Sequence, residues 1–219
     1  MVRAVGAGHE LMAVFRIVVG SSEAELRLKG SRFIAVAKPI SSLAGAVAAR
    51  EAERRRFHDA AHHVYAALLR NGEQRFDDDG EPAGTGGRPT LAAIERAGLA
   101  DAVVVVTRYF GGTKLGTGGL GRAYGAAADL ALDRAPGQTV VPGRLVVLTY
   151  PYRDTGAVTR LAEAMGAVRI RERYGDQAEL EVAVPDFQMN RLRIEVTEAT
   201  AGRAVLVELS GEMLLPFNT

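Results

Sequence analysis

The residues best placed to do chemistry are those of the run Thr107-Arg108-Tyr109-Phe110-Gly111-Gly112-Thr113-Lys114-Leu115-Gly116-Thr117-Gly118-Gly119. It leaves an apolar stretch that reads as a buried strand and leads into a helical pattern. Peptide N–H groups free of side chains can converge there on a phosphate, and the positive end of the following helix adds to the attraction. Gly111, Gly112, Gly116, Gly118 and Gly119 supply bare backbone, while Arg108, Lys114 and Arg122 supply charge-assisted donors, with Arg88 from a second glycine-rich segment. The competing reading is structural: the glycines serve tight packing and the cations answer an acidic loop nearby.

That acidic loop, Asp77-Asp78-Asp79-Gly80-Glu81, precedes Pro82-Ala83-Gly84-Thr85-Gly86-Gly87-Arg88-Pro89. Hard divalent cations prefer such oxygen ligands, so Asp78, Asp79 and Glu81 form a candidate Mg²⁺ set, although the alternating register of an EF-hand is missing. A solvated turn, or one that answers Arg88 and Arg108, is the plainer expectation. His62 is the candidate acid or base. His63 adjoins it, and on a strand the two rings point to opposite faces, so only one can join a given site. Two nucleotide motifs fail. Gly111 to Gly116 has Walker A spacing but is followed by Thr117, not lysine. Gly116-x-Gly118-x-x-Gly121 lacks an acid about 20 residues later, which argues against NAD. No G-x-S-x-G elbow is present, and zinc held by these histidines alone is not expected.

Positioning elements follow from the periodicity. Strands are expected at Ala13–Val19, Glu25–Lys29 and Phe33–Ala37, then a helix over Ser41–Phe57 with Ser42 as N-cap, and a strand at His63–Leu69. A short helix at Pro89–Ala97, a buried strand at Ala102–Val106 and a helix from Leu120 to Asp133 come next. Of 25 glycines, 12 fall between Gly80 and Gly125, which places the special backbone in this half. After Ala135-Pro136-Gly137-Gln138 the pattern is β-α-β-β-α-β, a ferredoxin-like unit: strand Arg144–Tyr150, Asp154 as N-cap, a helix ending at Gly166, two alternating strands, a helix over Phe187–Thr200 and a strand Ala204–Leu209. Arg169, Arg171 and Arg173 alternate on one strand, and Glu179 and Glu181 on the next. The two can face each other only if the loop around Gly175 has an odd number of residues. A cross-strand charge ladder is expected there rather than a phosphate track.

The chain has 219 residues with 47% hydrophobic and 24% charged content and no cysteine, which excludes a disulfide framework, thiolate metal sites and cysteine catalysis. Its 27 basic and 26 acidic residues give a net charge of +1, so a nucleic-acid site must be local. The stretch Leu11–Val19 is too short to span a bilayer, so no membrane partner and a cytoplasmic location are expected.

Four motifs together resemble the IMPACT/YigZ family: Lys29-x-Ser31-Arg32-Phe33; Ala61-His62-His63-Val64-Tyr65-Ala66; Asp78 through Pro89; and Val105 through Gly116, continued by Gly118-Gly119-Leu120-Gly121-Arg122-Ala123-Tyr124. Departures are Val64 where many members carry cysteine, together with Ala83, Gly86 and Thr90. The similarity is specific over about residues 20 to 135. It implies an α+β protein of two domains, 1–137 and 138–219. The first would have the left-handed βαβ fold of a ribosomal protein and of small-molecule kinases. The second would be ferredoxin-like, similar to the last domain of the translocation elongation factor. Both relatives imply RNA or the ribosome as partner. Eukaryotic members restrain activation of a translation kinase through an extra protein-binding domain not seen in this sequence, so that partner is not expected. The leading expectation is a non-enzymatic, RNA- or ribosome-associated protein that regulates translation without a cofactor. An Mg²⁺-dependent phosphoryl-transfer or hydrolytic enzyme acting on a phosphorylated small molecule is the alternative, and a protein-interaction module the third.

Overall fold

The computed structural model describes residues 3–5 and 12–217. Its elements are β1 (Arg3–Val5), β2 (Met12–Val18), β3 (Ser22–Leu28), β4 (Ser31–Pro39), α1 (Leu43–Arg56), β5 (His62–Leu68), β6 (Gln74–Asp77), α2 (Gly87–Ala97), β7 (Ala102–Tyr109), α3 (Gly116–Arg134), β8 (Gly137–Tyr150), α4 (Thr155–Ala164), β9 (Val168–Tyr174), β10 (Ala178–Pro185), α5 (Met189–Ala199) and β11 (Val205–Pro216). They form two compact units. One covers Phe15–Gln138; the other covers Thr139 onward together with the chain up to Val14. The architecture is α+β with two antiparallel sheets. Among the described residues no helix is long and apolar enough to cross a membrane.

In the first unit the strand order is β3-β4-β7-β5-β6, and the connection β4-α1-β5 passes over β7. The apolar run of β7 is buried from Ala102 to Arg108, as a strand covered on both faces must be. Alternation divides its side chains. Val103 and Val105 pack with Tyr65, Ala67 and Ala46 of α1. Val104 and Val106 pack with Phe33, Val64 and Ala66 beneath α2 and α3, where Ile94 and Tyr124 join the core. Continuing that parity places Arg108 on the α2/α3 face. In the register it lies opposite Phe33 on one side and His62 on the other.

Ser42 caps α1 as expected, its hydroxyl accepting from the Gly45 N–H at 3.2 Å. The glycine loop departs from expectation: α3 begins at Gly116 rather than Leu120, so Gly116, Gly118 and Gly119 lie in its first turn. Strand β6 has no counterpart in the sequence reading because all four of its residues are exposed and carry no apolar alternation.

The hairpin β3–β4 closes through Lys29-Gly30, both at positive φ (47° and 81°), the geometry of a two-residue I′ turn. The loop after β7 rests on this turn. A Cβ built on Gly111 would stand 1.9 Å from the Gly30 carbonyl carbon, and one on Gly30 would stand 2.7 Å from the Gly111 oxygen. Two backbones meet here with no room for a side chain.

The second unit runs β8-α4-β9-β10-α5-β11, with β10 between β8 and β9 and β11 on the other side of β8. That is the strand arrangement of a ferredoxin-like unit. Helices α4 and α5 bury one face through Val158, Ala162, Leu192 and Val196 against Val146, Leu148, Leu180 and Val182. The β9–β10 loop is Gly175-Asp176-Gln177, three residues, so Arg173 faces Glu179 and Arg171 faces Glu181. The expected charge ladder forms, with N–O separations of 3.9 and 4.0 Å. Arg169 is displaced from it by a bulge and pairs with Glu163. Asp154 does not cap α4 with its side chain; a 3-10 turn precedes the helix, and the carboxylate instead accepts from Arg203 Nε at 2.9 Å and Nη2 at 2.8 Å.

The contact between the two backbones gives a direct test. Gly111→Ala is expected to destabilise the protein by more than about 2 kcal/mol, since backbone atoms must shift. Gly112→Ala has open space around it and meets only the positive φ of 83°, a cost of about 1 kcal/mol. Urea denaturation of the two variants measures the difference.

Candidate functional site

Four side chains converge between the sheet and helices α2 and α3. Glu81 enters from the acidic loop and is buried. Its Oε1 accepts from Arg108 Nη1 at 2.5 Å and from the Tyr124 hydroxyl at 2.7 Å, and His62 Nε2 stands 3.8 Å away. Arg108 is only 5% exposed. A lone carboxylate or guanidinium so placed would be costly to desolvate, and each removes the other's cost. Burial, then the hydrogen bond to Glu81, pushes the Tyr124 hydroxyl well above the ordinary phenol range, so Tyr124 acts here as a neutral donor.

Arg108 lies between two rings, with its guanidinium carbon 5.5 Å from the centroids of both Phe33 and Phe110. Its Nη2 is 3.5 Å from the Ser31 hydroxyl, and its buried Nε has no hydrogen-bond partner. Ser31 also accepts from the Gly111 N–H at 3.2 Å. One anchor therefore holds the start of the glycine loop to the β3–β4 turn. The expectation of Arg108 as a donor at the surface is replaced by this internal role, because Glu81 reaches it first.

Beyond Gly111 the loop faces outward. Among the described residues none accepts from the main-chain N–H groups of Gly112 through Leu115. Lys114 and Arg122 are exposed and make no ion pair among the described residues. Arg88, at the start of α2, lies 5.8 Å over the Phe76 ring. Its neighbour Pro89 packs against α3 near Gly121, where a Cβ would be 3.6 Å from the proline ring. Lys114 thus stands with Gly112, Gly116, Gly118 and Gly119 in one largely exposed stretch, Arg122 Nη1 comes within 3.5 Å of a Cβ placed on Gly118, and Lys29 is exposed on the turn that Gly111 touches, whereas Arg88 lies over Phe76 on the edge strand β6.

The acidic loop serves the backbone. Asp78 Oδ1 accepts from Gly86 and Gly87, both at 2.8 Å, and Oδ2 from Gly84 at 2.7 Å. It therefore satisfies the opening amides of α2, whose cap residue, Gly86, has no side chain to do so. Asp79 accepts from Arg54 Nη2 at 2.8 Å and from the His63 N–H at 2.6 Å. With Glu81 engaged as described, the three carboxylates hold different groups, and among the described residues no three ligating side chains are placed around one ion. These residues do not fit an Mg²⁺ site. His62 Nδ1 is 2.8 Å from the Asp79 carbonyl oxygen, which can only accept, so that nitrogen carries the proton and Nε2 turns toward Glu81. His63 occupies the α1 side, its Nε2 3.1 Å from the Phe57 carbonyl; burial lowers its pKa.

Sequence reading did not single out Ser31, Phe110 and Tyr124 as site residues. Strand parity could have found Phe33 and His62 flanking Arg108, whereas the approach of Glu81 and Tyr124 depends on tertiary packing.

A model of the Impact N-terminal domain matches residues 29–132, a span that contains every member of this cluster, and one of a domain of unknown function, DUF1949, matches residues 148–203. A Thermus thermophilus protein described as an IMPACT family member is 46% identical over 137 residues, 63% of this chain and 74% of its own. IMPACT family member YigZ of Escherichia coli is 34% identical over 187 residues, 83% and 91% of the two chains. An IMPACT family member of Haemophilus influenzae is 31% identical over 199 residues, 89% and 97%. A solved structure described only as a hypothetical protein superposes with a TM-score of 0.64 at 30% identity, covering 91% of this chain and 99% of its own.

Two outcomes are expected from these contacts. Glu81→Leu leaves Arg108 buried without its anion and is expected to cost about 3–5 kcal/mol in urea denaturation, against a change within about 0.5 kcal/mol for Lys114→Ala. For Asp78, burial raises the pKa but the three N–H donors outweigh it, and the net shift is downward. Its stabilising effect is therefore complete above the unfolded aspartate value of about 3.9 and is lost as pH falls through the lower folded value. Asp78→Asn should reduce stability at pH 7 and flatten the acid limb of stability against pH; an unaltered acid limb would contradict the assignment.

Proposed function

The chain belongs to the IMPACT family, and from that premise we propose that it acts in translation as a non-enzymatic RNA- or ribosome-associated protein that holds phosphate groups on the outward part of the Gly111–Gly119 loop. The observation that carries this reading is the pairing of unengaged loop amides, Gly112 through Leu115, with unpaired cations beside them. Amides in that state are donors aimed at solvent, and the start of α3 adds the positive end of a 19-residue helix. Arg88, Lys114 and Arg122 supply the charge that gives affinity, while Glu81 and Arg108 set the loop's position without facing the ligand.

The alternative of an Mg²⁺-dependent enzyme draws no support from the acidic loop, whose carboxylates hold amides, Arg54, Arg108 and Tyr124. The open sheet face of the second unit is also a poor phosphate track. Its central positions include Val147, Thr149, Glu179 and Glu181, with no aromatic ring, and its arginines face carboxylates. Sheets that read RNA stack bases on aromatic residues at such positions.

Lys114→Ala combined with Arg122→Ala is expected to weaken RNA binding or ribosome co-sedimentation. It should also reduce the slope of log affinity against log salt by about 1.4, since each lost contact to a single strand accounts for about 0.7. A slope equal to that of the unmodified protein would remove phosphate binding at this loop.

A further inference from the structure

Phe110 is the last residue before the glycine loop and is 53% exposed, although it directly follows the buried strand β7. Its ring lies over the guanidinium of Arg108, with 5.5 Å to the centroid. Arg108 is in turn fixed by Glu81 at 2.5 Å and backed by Phe33, which meets Tyr124 edge-on at 5.2 Å and 87°. The exposed ring therefore rests on a buried stack of cation, ring and ring, and placing a planar group upon it requires little further ordering of the side chain. Arg108 Nε is buried without a hydrogen-bond partner, and the ring faces of Phe33 and Phe110 add cation–π attraction to the charge that Glu81 already answers at Nη1.

The first unengaged amide, that of Gly112, is two positions on from Phe110. The chain can cover that interval in at most about 7 Å, within the reach of one nucleotide from its phosphate to its base.

We propose, resting on the phosphate-binding reading above, that Phe110 is a base-stacking platform and that the ligand class is single-stranded RNA, one base lying on the Phe110 ring and the adjoining phosphates on Gly112–Leu115 and Lys114. Bases inside a duplex are stacked on one another and cannot reach a lone protein ring; unpaired bases can. Among the described residues Phe76, Tyr152 and Tyr174 are also exposed; Arg88 lies over the Phe76 ring, and the Tyr152–Tyr174 pair does not offer the same surface. The two rings stack on each other, their hydroxyls bond the Gly175 carbonyl and Glu172, and Asp176 and Glu179 lie alongside Tyr174.

The test is fluorescence anisotropy with a labelled single-stranded oligoribonucleotide of about ten residues and a hairpin duplex of the same composition. The full chain is expected to prefer the single strand. Phe110→Leu should lower that affinity by roughly tenfold with the salt slope unchanged, whereas Lys114→Ala should lower the slope. Phe110→Trp should bind like the unmodified protein, its indole emission quenched as RNA is added. Equal affinity for duplex and single strand, wild-type affinity of Phe110→Leu, or unquenched emission of bound Phe110→Trp would each overturn the platform. If Phe110→Leu binds normally while Lys114→Ala still loses salt slope, only the platform falls; absence of RNA binding by the unmodified protein removes the platform and the phosphate reading together.

Discussion

A carboxylate carried into the interior must find donors or lose its charge, and Glu81 finds two on a single oxygen, Arg108 and Tyr124. The rest of the first unit's site depends on that meeting. Because Arg108 is drawn inward, its guanidinium is available to sit between Phe33 and Phe110 and to approach Ser31, which in turn holds Gly111. The loop is thus pinned at its first glycine and released from the second onward. Side chains that would be taken for ligand contacts by charge alone are instead the support on which the outward backbone of the loop rests.

A related division of labour runs through the acidic loop. Carboxylates beside glycines suggest a cation site, yet Asp78 receives three peptide N–H groups, and one of its oxygens takes up the opening amides of α2. Gly86 makes that arrangement possible: a Cβ there would be 2.8 Å from Val64 and 3.3 Å from Asp78. Glycine at this cap lets the strand side chain and the carboxylate approach the backbone at once. The acids are built into the fold, each engaged by peptide N–H groups or cationic side chains.

Much of the fold was legible because period and burial coincide. The apolar run of β7, the alternation in β9 and β10 and the odd-numbered loop between them follow from side-chain geometry alone. The start of α3 was not, since Gly116, Gly118 and Gly119 are poor helix formers and supply no apolar periodicity. Strand β6 was hidden because all four of its residues are exposed and its one apolar residue, Phe76, makes no alternation. At the site, the sequence marked the loop and its cations but could not separate Arg108, directed inward by strand parity and met by Glu81, from Lys114, which has no such partner. Motif similarity grouped both, and burial distinguishes them.

The most direct measurement is a ¹H–¹⁵N spectrum followed while a single-stranded oligoribonucleotide is added. The N–H signals of Gly112, Thr113, Lys114 and Leu115 are expected to shift together to saturation, while Gly111, already bonded to Ser31, and the sheet positions Val147, Glu179 and Glu181 remain in place. Shifts confined to the sheet of the second unit, or a loop whose signals do not move when RNA is bound, would contradict phosphate recognition by these amides.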